Sequence, residues 1–280
     1  MMIDIMIEET SISLSTSITE SYPMLLLSPR NNASSKLIEE AALETGIDCR
    51  RLSSWQPPQD LLGRLDIFAY GEPLFAALMA ESFQCNLIEP PFDWLPSLPS
   101  SFVNRSVELT TLSEARTRTA RIFAKPADDK CFPAGVYEDG KSITASNLLP
   151  NTVPVLISEI VQWVNEYRFF VLDRKVMTGS LYSEYGELAQ TAGSAEIYNE
   201  AREFVESLLS DETLQIPPAA AIDVGLIKDR GWSIVESNPA FGSGIYSCDP
   251  KQVLPVLARS FVHCSKITDQ DRNWIIERKV

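Results

Sequence analysis

The chain has 280 residues, 45% of them apolar and 22% charged, which is ordinary for a globular protein with a sizeable core. Its 24 Lys and Arg against 38 Asp and Glu leave a net charge of −14, a poor match for non-specific nucleic-acid binding, which depends on neutralising phosphates. No apolar run reaches bilayer length, and the acidic start Met-Met-Ile-Asp-Ile-Met-Ile-Glu-Glu-Thr lacks a basic n-region, so no membrane association is expected and the cytoplasm is the expected location.

Residues 1–22 are polar and rich in Ser and Thr, and read as a lead-in or an edge strand. Met24–Leu27 is a short buried strand. Ser34 to Glu44 carries helical apolar spacing through Leu37, Ile38, Ala41 and Ala42, with Gly46 where a C-cap belongs. Cys49–Leu52 and Leu65–Tyr70 follow as strands, and Glu72–Ser82 as a helix with Pro73 in its first turn. This alternation predicts a small parallel α/β unit over roughly residues 23–90. Glu89 to Ser101 holds four prolines in thirteen residues and is the best linker candidate, with Phe92 and Trp94 packed.

Beyond it, a Thr/Ser-capped helix is expected over Leu112–Thr119 and a strand over Arg121–Lys125, stopped by Pro126. Val153–Val161 and Glu166–Leu172 read as strands, the second turning through Asp173-Arg174-Lys175 into Val176–Tyr182. Ala195–Leu209 is an amphipathic helix, and Pro250–Val262 is predicted as a closing helix that carries the single histidine, His263, near its end. A single histidine, placed in a packing helix, argues against a Ser-His-Asp hydrolase and a His-rich metal site, and five cysteines without CxxC spacing argue against a disulfide framework and a zinc site.

The densest chemistry lies between Asp223 and Asn238. An apolar strand, the polar turn Lys228-Asp229-Arg230-Gly231 and the return Trp232-Ser-Ile-Val-Glu236 form a hairpin that puts Asp223 and Glu236 at one end. Period-two alternation sets Glu236 and Asn238 on one face. Three such oxygen ligands suit Mg²⁺, although isolated acids in hairpins are usually solvated surface groups. Lys125 emerges from a strand end beside the loop that holds Lys130, where a lysine can meet phosphate or simply lie exposed. No G-x-x-x-x-G-K-[ST] occurs, which argues against a P-loop NTPase. Glu159 and Glu166, seven residues apart, flank a short crossover through Val161 and Gln162, and Arg168 shares a strand face with Glu166.

Taken in order, these blocks resemble the ATP-grasp superfamily, over roughly residues 104–250. Lys125-Pro126 matches its phosphate-binding lysine, Glu159 its adenine-contacting hinge glutamate with Val161 and Gln162 as backbone contacts, and Glu166 its ribose ligand. Asp223, Glu236 and Asn238 match Asp-x₁₂-Glu-x-Asn, its metal set, with Gly242 four past the Asn as in the family's substrate loop. There are departures. Asn104-Arg105 stands where a second lysine is common, so Arg105 is the expected replacement at phosphate. Ala221 stands where ligases often carry arginine, and the Glu166-Tyr-Arg168 tripeptide resembles a clade in which arginines replace lysines.

The resemblance implies an α/β (α+β) ATP-grasp fold with an N-terminal unit, 1–103, and two subdomains, 104–162 and 163–280, that sandwich ATP. It implies a carboxylate–amine (or carboxylate–thiol) ligase working with Mg²⁺ and ATP through an acylphosphate. Lys125 and Arg168 are the expected catalytic cations, and Lys130 and Arg105 further nucleotide contacts. Substrates would be small-molecule or peptide carboxylates and amines. Tyr246 is a candidate substrate contact, Arg30, Arg50 and Arg51 are candidate carboxylate binders, and dimers are common in the family. Two rival readings are a nucleotide-binding interaction protein on a degenerate scaffold and a kinase with a hydroxyl or phosphohistidine acceptor.

Overall fold

The computed structural model describes residues 23–127 and 131–276. The reading of residues 1–22 lies outside that range, as does Lys130. From the amino side come β1 (Met24–Leu27), α1 (Ala33–Glu44), β2 (Asp48–Arg51), β3 (Ile67–Tyr70), α2 (Pro73–Ser82) and β4 (Cys85–Leu87). The first three strands form a parallel sheet in the order β2-β1-β3, as the alternating pattern predicts. Asn32 caps α1 through a reciprocal bond pair with Ser35, which fixes its start one turn after β1.

The proline-rich segment is no free linker. It forms two single turns, α3 (Trp94–Ser97) and α4 (Ser100–Val103). Trp94, Leu95 and Leu98 are buried, and the Trp94 indole N–H donates to the Gln215 carbonyl at 2.8 Å. Next come β5 (Val107–Thr111), α5 (Leu112–Ala115), β6 (Ile122–Pro126), β7 (Gly135–Tyr137) and β8 (Pro154–Ser158), arranged as a four-stranded sheet in the order β5-β8-β6-β7. The helix expected over Leu112–Thr119 is one turn only, α5, capped reciprocally by Thr111 and Glu114. Only Leu112 and Ala115 are buried there, so residues beyond Arg116 have no apolar face to hold against the sheet.

The remaining elements are β9 (Trp163–Leu172), β10 (Lys175–Glu184), β11 (Glu187–Leu188), α6 (Ala195–Ser210), β12 (Ala219–Ile227), β13 (Gly231–Asn238), α7 (Pro250–Arg259) and β14 (Phe261–His263). Five of these strands form an antiparallel sheet in the order β11-β10-β9-β12-β13. The expected helix over Pro250–Val262 stops at Arg259. Phe261 and Val262 are drawn into β14, which pairs with β4, so His263 stands opposite Cys85 on a strand and not on a helix.

The cores are distributed unevenly. One apolar cluster runs from β1, β3, α1 and α2 through α7 to Phe170, Ala219 and Ala221 of the five-stranded sheet. A second lies on that sheet's other face beneath α6. The four-stranded sheet has a small core of its own, around Leu112, Ala124, Phe132, Val155 and Ile157. Among the described residues no helix is long and apolar enough to cross a membrane.

Candidate active site

Two register breaks build the site. In the β12–β13 hairpin a bulge lets Glu236 stand opposite Asp223 while Ile234 stands opposite Val224. On the other side of β12, Asp223 is opposite Arg168 of β9. Arg168, Asp223 and Glu236 therefore form one row across three neighbouring strands. A second bulge, between Leu181 and Ser183 of β10, brings Tyr182 and Ser183 together onto Glu166 of β9. Their hydroxyls donate to its carboxylate at 3.0 and 2.8 Å.

Asp223 is fully buried and Arg168 nearly so. The guanidinium meets both Asp223 oxygens, Nε to Oδ1 at 2.8 Å and Nη2 to Oδ2 at 2.7 Å, the bidentate geometry arginine favours. Its Nη1 donates to the Gly244 carbonyl at 3.0 Å. Tyr182 and Tyr246, stacked with centroids 5.0 Å apart, lie 5.6 and 5.2 Å from the guanidinium carbon. Burial pushes the Asp223 carboxyl above the ordinary range, opposed by the charge and hydrogen bonds of Arg168.

Glu236 takes its cation from the opposite sheet. Lys125 of β6 reaches across and donates to Glu236 Oε2, while Asn238 Nδ2 donates to Oε1 at 2.8 Å. Burial pushes the Glu236 carboxyl upward, but the Lys125 charge and these two hydrogen bonds outweigh it and hold it down at about 2. Glu166 goes the other way: burial raises its carboxyl above the usual value despite Ser183 and Tyr182. A lysine of one sheet thus meets the carboxylate row of the other.

A family model for the ATP-grasp domain, R-2-K clade family 2, matches residues 102–256, more than half of the chain. The chain belongs to this ATP-grasp family. No curated protein sequence matches it. Among solved structures it is similar to a RimK domain ATP-grasp protein from Sphaerobacter thermophilus, at 16% identity and a TM-score of 0.52, covering 85% of this chain and 98% of that one. It is similar to an L-amino acid ligase from Bacillus licheniformis, at 11% identity and a TM-score of 0.50, covering 89% and 77%. For D-alanine–D-alanine ligase from Bacillus anthracis the values are 10%, 0.49, 86% and 97%. At these identities the likeness is one of fold: this chain shares the ATP-grasp architecture.

The other residues expected from the ATP-grasp pattern fall in three groups. Glu159, Val161 and Gln162 do sit on the crossover between β8 and β9. Glu159 is held by Arg230 at 2.6 Å, and the Gln162 carbonyl accepts from the Lys228 N–H at 2.9 Å. The Val161 backbone has no hydrogen-bond partner among the described residues, so its groups are open to a ligand. Arg105 differs from expectation. Its guanidinium donates to Ser233 Oγ and to the Val103, Ile234 and Val235 carbonyls, and lies 4.9 Å over the Trp163 ring. It clamps β13, and burial pulls its pKa down to about 10.

Ala221 is buried in the core, opposite Asn238, and leaves no room for the arginine many ligases carry there. The cation of the row comes instead from Arg168 on the neighbouring strand. Tyr182 and Ser183 escape sequence reasoning, because nothing in the residues marks a bulge. Arg50 pairs with Asp60, and Arg51 with Glu39 and the Ser28 and Arg30 carbonyls, so both are tied within the N-terminal unit.

Donor chemistry decides whether the row could hold a metal. Among the described residues no three His, Cys, Asp or Glu side chains converge as a self-sufficient cation site. Two carboxylates and one amide do converge; Asn238 Nδ2 faces both carboxylates, and a half-turn of the amide would bring to the same place its oxygen, which has no protein donor among the described residues. An all-oxygen set short of a full shell fits Mg²⁺, which completes its octahedron with phosphates and water.

Proposed function

We propose that the chain is an ATP-dependent ligase that joins a carboxylate to an amine (or a thiol) through an acylphosphate. In this reading ATP lies between residues 104–162 and 163–280, with 1–103 completing the acceptor side. The observation that carries it is the row Arg168, Asp223 and Glu236 with Lys125 reaching over from the opposite sheet. Such an array is paired internally now, and its charges are of the kind a metal–nucleotide needs. Mg²⁺, held by Asp223, Glu236 and Asn238, would supply positive charge at the phosphates.

Lys125 would exchange Glu236 for a phosphate oxygen, and Arg168 would turn its Nη groups to the transferred phosphoryl while keeping its place beside Asp223. Both then meet negative charge as it develops, the principal aid a protein gives phosphoryl transfer. The Val161 backbone would meet the purine edge beside Glu159, and Glu166, oriented by Tyr182 and Ser183, the ribose hydroxyls. The phosphoryl group passes to the substrate carboxylate. The amine then attacks the acyl carbon, the C–N bond forms as the C–O bond to phosphate breaks, and phosphate leaves. Held in place, the amine gains most of its advantage from orientation.

The test is ADP release with a pooled set of carboxylates in the presence of hydroxylamine. A hydroxamate formed by the wild type and lost in Lys125→Ala is the expected result. ADP release with a stable phosphorylated product and no hydroxamate would favour a kinase. No ADP above background, with the protein folded, would favour a non-catalytic binding module.

A further inference from the structure

Tyr182 is the extra residue of the second bulge. Leu181 stands opposite Tyr167 and Ser183 opposite Glu166, so the ladder gives Tyr182 no partner on β9. Such a residue is placed by its side chain, and this one touches two groups of the site at once. The hydroxyl donates to Glu166 Oε2 at 3.0 Å, and the ring centroid lies 5.6 Å from the guanidinium carbon of Arg168. Glu166 and Arg168 are two residues apart on β9 and share a face. A single aromatic ring therefore spans the carboxylate at one end of the site and the arginine at the other.

Both ends keep capacity for a ligand. Glu166 is half-buried, and with Ser183 Oγ on Oε1 at 2.8 Å each of its oxygens holds one donor and can accept another. Arg168 spends Nε and one N–H of Nη2 on Asp223, and one N–H of Nη1 on the Gly244 carbonyl. One N–H on each Nη is left without an acceptor among the described residues. Where those two point depends on the guanidinium plane, and the rings hold that plane. Tyr246 stacks on Tyr182, centroids 5.0 Å and planes 16° apart, and its own centroid lies 5.2 Å from the guanidinium carbon. Tyr246 sits at φ 49°, a backbone that a bulky residue seldom adopts. Its neighbours keep it there: Ile245 N–H donates to Ser34 Oγ at 3.1 Å, and Cys248 N–H to the Ile245 carbonyl at 2.9 Å.

We propose that Tyr182 is a positioning residue shared by both ends of the nucleotide site, and that through it the protein selects ribonucleotides over 2′-deoxyribonucleotides; the inference rests on the ligase reading above. The Tyr182 hydroxyl fixes the Glu166 carboxylate where it meets the sugar hydroxyls. The Tyr182 ring, backed by Tyr246, fixes the guanidinium of Arg168 so that its two free N–H groups meet the γ-phosphate. The duties are separable, because one belongs to the hydroxyl and the other to the ring. Loss of the hydroxyl alone acts on the sugar, loss of the whole side chain acts on both ends, and loss of the Tyr246 ring acts on the phosphate.

The experiment measures, by titration calorimetry on the full chain, the dissociation constants of Mg·ATP, Mg·dATP and Mg·ADP. In the wild type, loss of the 2′-hydroxyl and loss of the γ-phosphate should each weaken binding by about tenfold, the effect of one hydrogen bond to a charged group. Tyr182→Phe keeps the ring, and should bring dATP close to ATP while leaving the ATP-to-ADP ratio unchanged. Tyr182→Leu should shrink both ratios severalfold, and Tyr246→Leu the ATP-to-ADP ratio alone. A role confined to packing weakens the three nucleotides alike in every variant, and that result would overturn the proposal. So would a Tyr182→Phe protein with the wild-type sugar preference, or a Tyr246→Leu protein with the wild-type ATP-to-ADP ratio; these two variants decide the matter even where Tyr182→Leu does not fold. A wild type that binds ATP no better than dATP would also overturn it and leave the ligase reading standing. A wild type that binds no nucleotide would remove both.

Discussion

The two sheets that meet at the site, its two walls, are built differently. The five-stranded wall shares its apolar core with the N-terminal unit, through Phe170, Ala219 and Ala221, and buries the Arg168–Asp223 pair within it. The four-stranded wall has a separate small core, lends Val107 to the core beneath the other wall, and reaches Glu236 of that wall through the polar side chain of Lys125. Its Lys125–Glu236 and Glu159–Arg230 pairs are part-exposed. One wall is thus a fixed platform, and the other is held by contacts that a ligand can exchange. The difference shows where substitutions should act on stability and where they should act on binding.

The largest effect is expected on the platform. Asp223→Ala leaves a buried guanidinium without its partner and should cost about 3–5 kcal/mol, measured by urea unfolding. The double change Asp223→Leu with Arg168→Met should recover most of that loss. A single variant within about 1 kcal/mol of wild type, on the order of a surface pair, would erase the distinction between the walls.

Glu236 comes next, at the junction. Its carboxyl is held at about 2 against an ordinary 4.5, so the folded state binds its proton less readily than the unfolded chain. Its contribution is then present above pH 4.5 and lost as pH falls toward 2, a difference on the order of 3 kcal/mol. Glu236→Gln should therefore be less stable than wild type at neutral pH, with the gap closing through that window. A gap that stays constant from about pH 6 to about pH 3 would show that Lys125 is not its partner.

Smaller changes sharpen the picture. Gly225 is required for the Trp163 ring, because a Cβ would lie 2.5 Å from Trp163 Cε3. Gly225→Ala should cost about 1–3 kcal/mol and alter the tryptophan emission, while unchanged stability and spectrum would mean the ring moves freely. Least of all, Arg230→Ala removes a pair 44% and 38% exposed and should leave the midpoint of urea unfolding nearly unchanged. On the proposed function it should still weaken ATP binding, through Glu159, and an unchanged affinity would count against the hinge role.

Much of this arrangement is legible in the residues. The spacing of Asp223, Glu236 and Asn238 and the turn at Lys228–Gly231 foretell a hairpin, because strand alternation is a local property. The parallel unit before residue 90 follows from its alternating elements in the same way. What the sequence hides is register. The bulge that sets Glu236 opposite Asp223, and the one that turns Tyr182 and Ser183 onto Glu166, leave no residue signature. The place of Arg105 is hidden too, because a cation's partner depends on which strand packs beside it, here β13. The same holds for His263, whose strand exists only because β4 offers an edge.

The central claim is that the row on the platform and the lysine from the other wall form a nucleotide site. Thermal unfolding with and without Mg·ATP, for wild type and the Glu236→Ala/Asn238→Ala double variant, tests it most directly. At about 100 times its Kd a ligand adds about 2.7 kcal/mol, so a magnesium-dependent rise of a few degrees is expected in the wild type and none in the double variant. An equal rise in both proteins, or none in a folded wild type at millimolar ATP, would contradict the account.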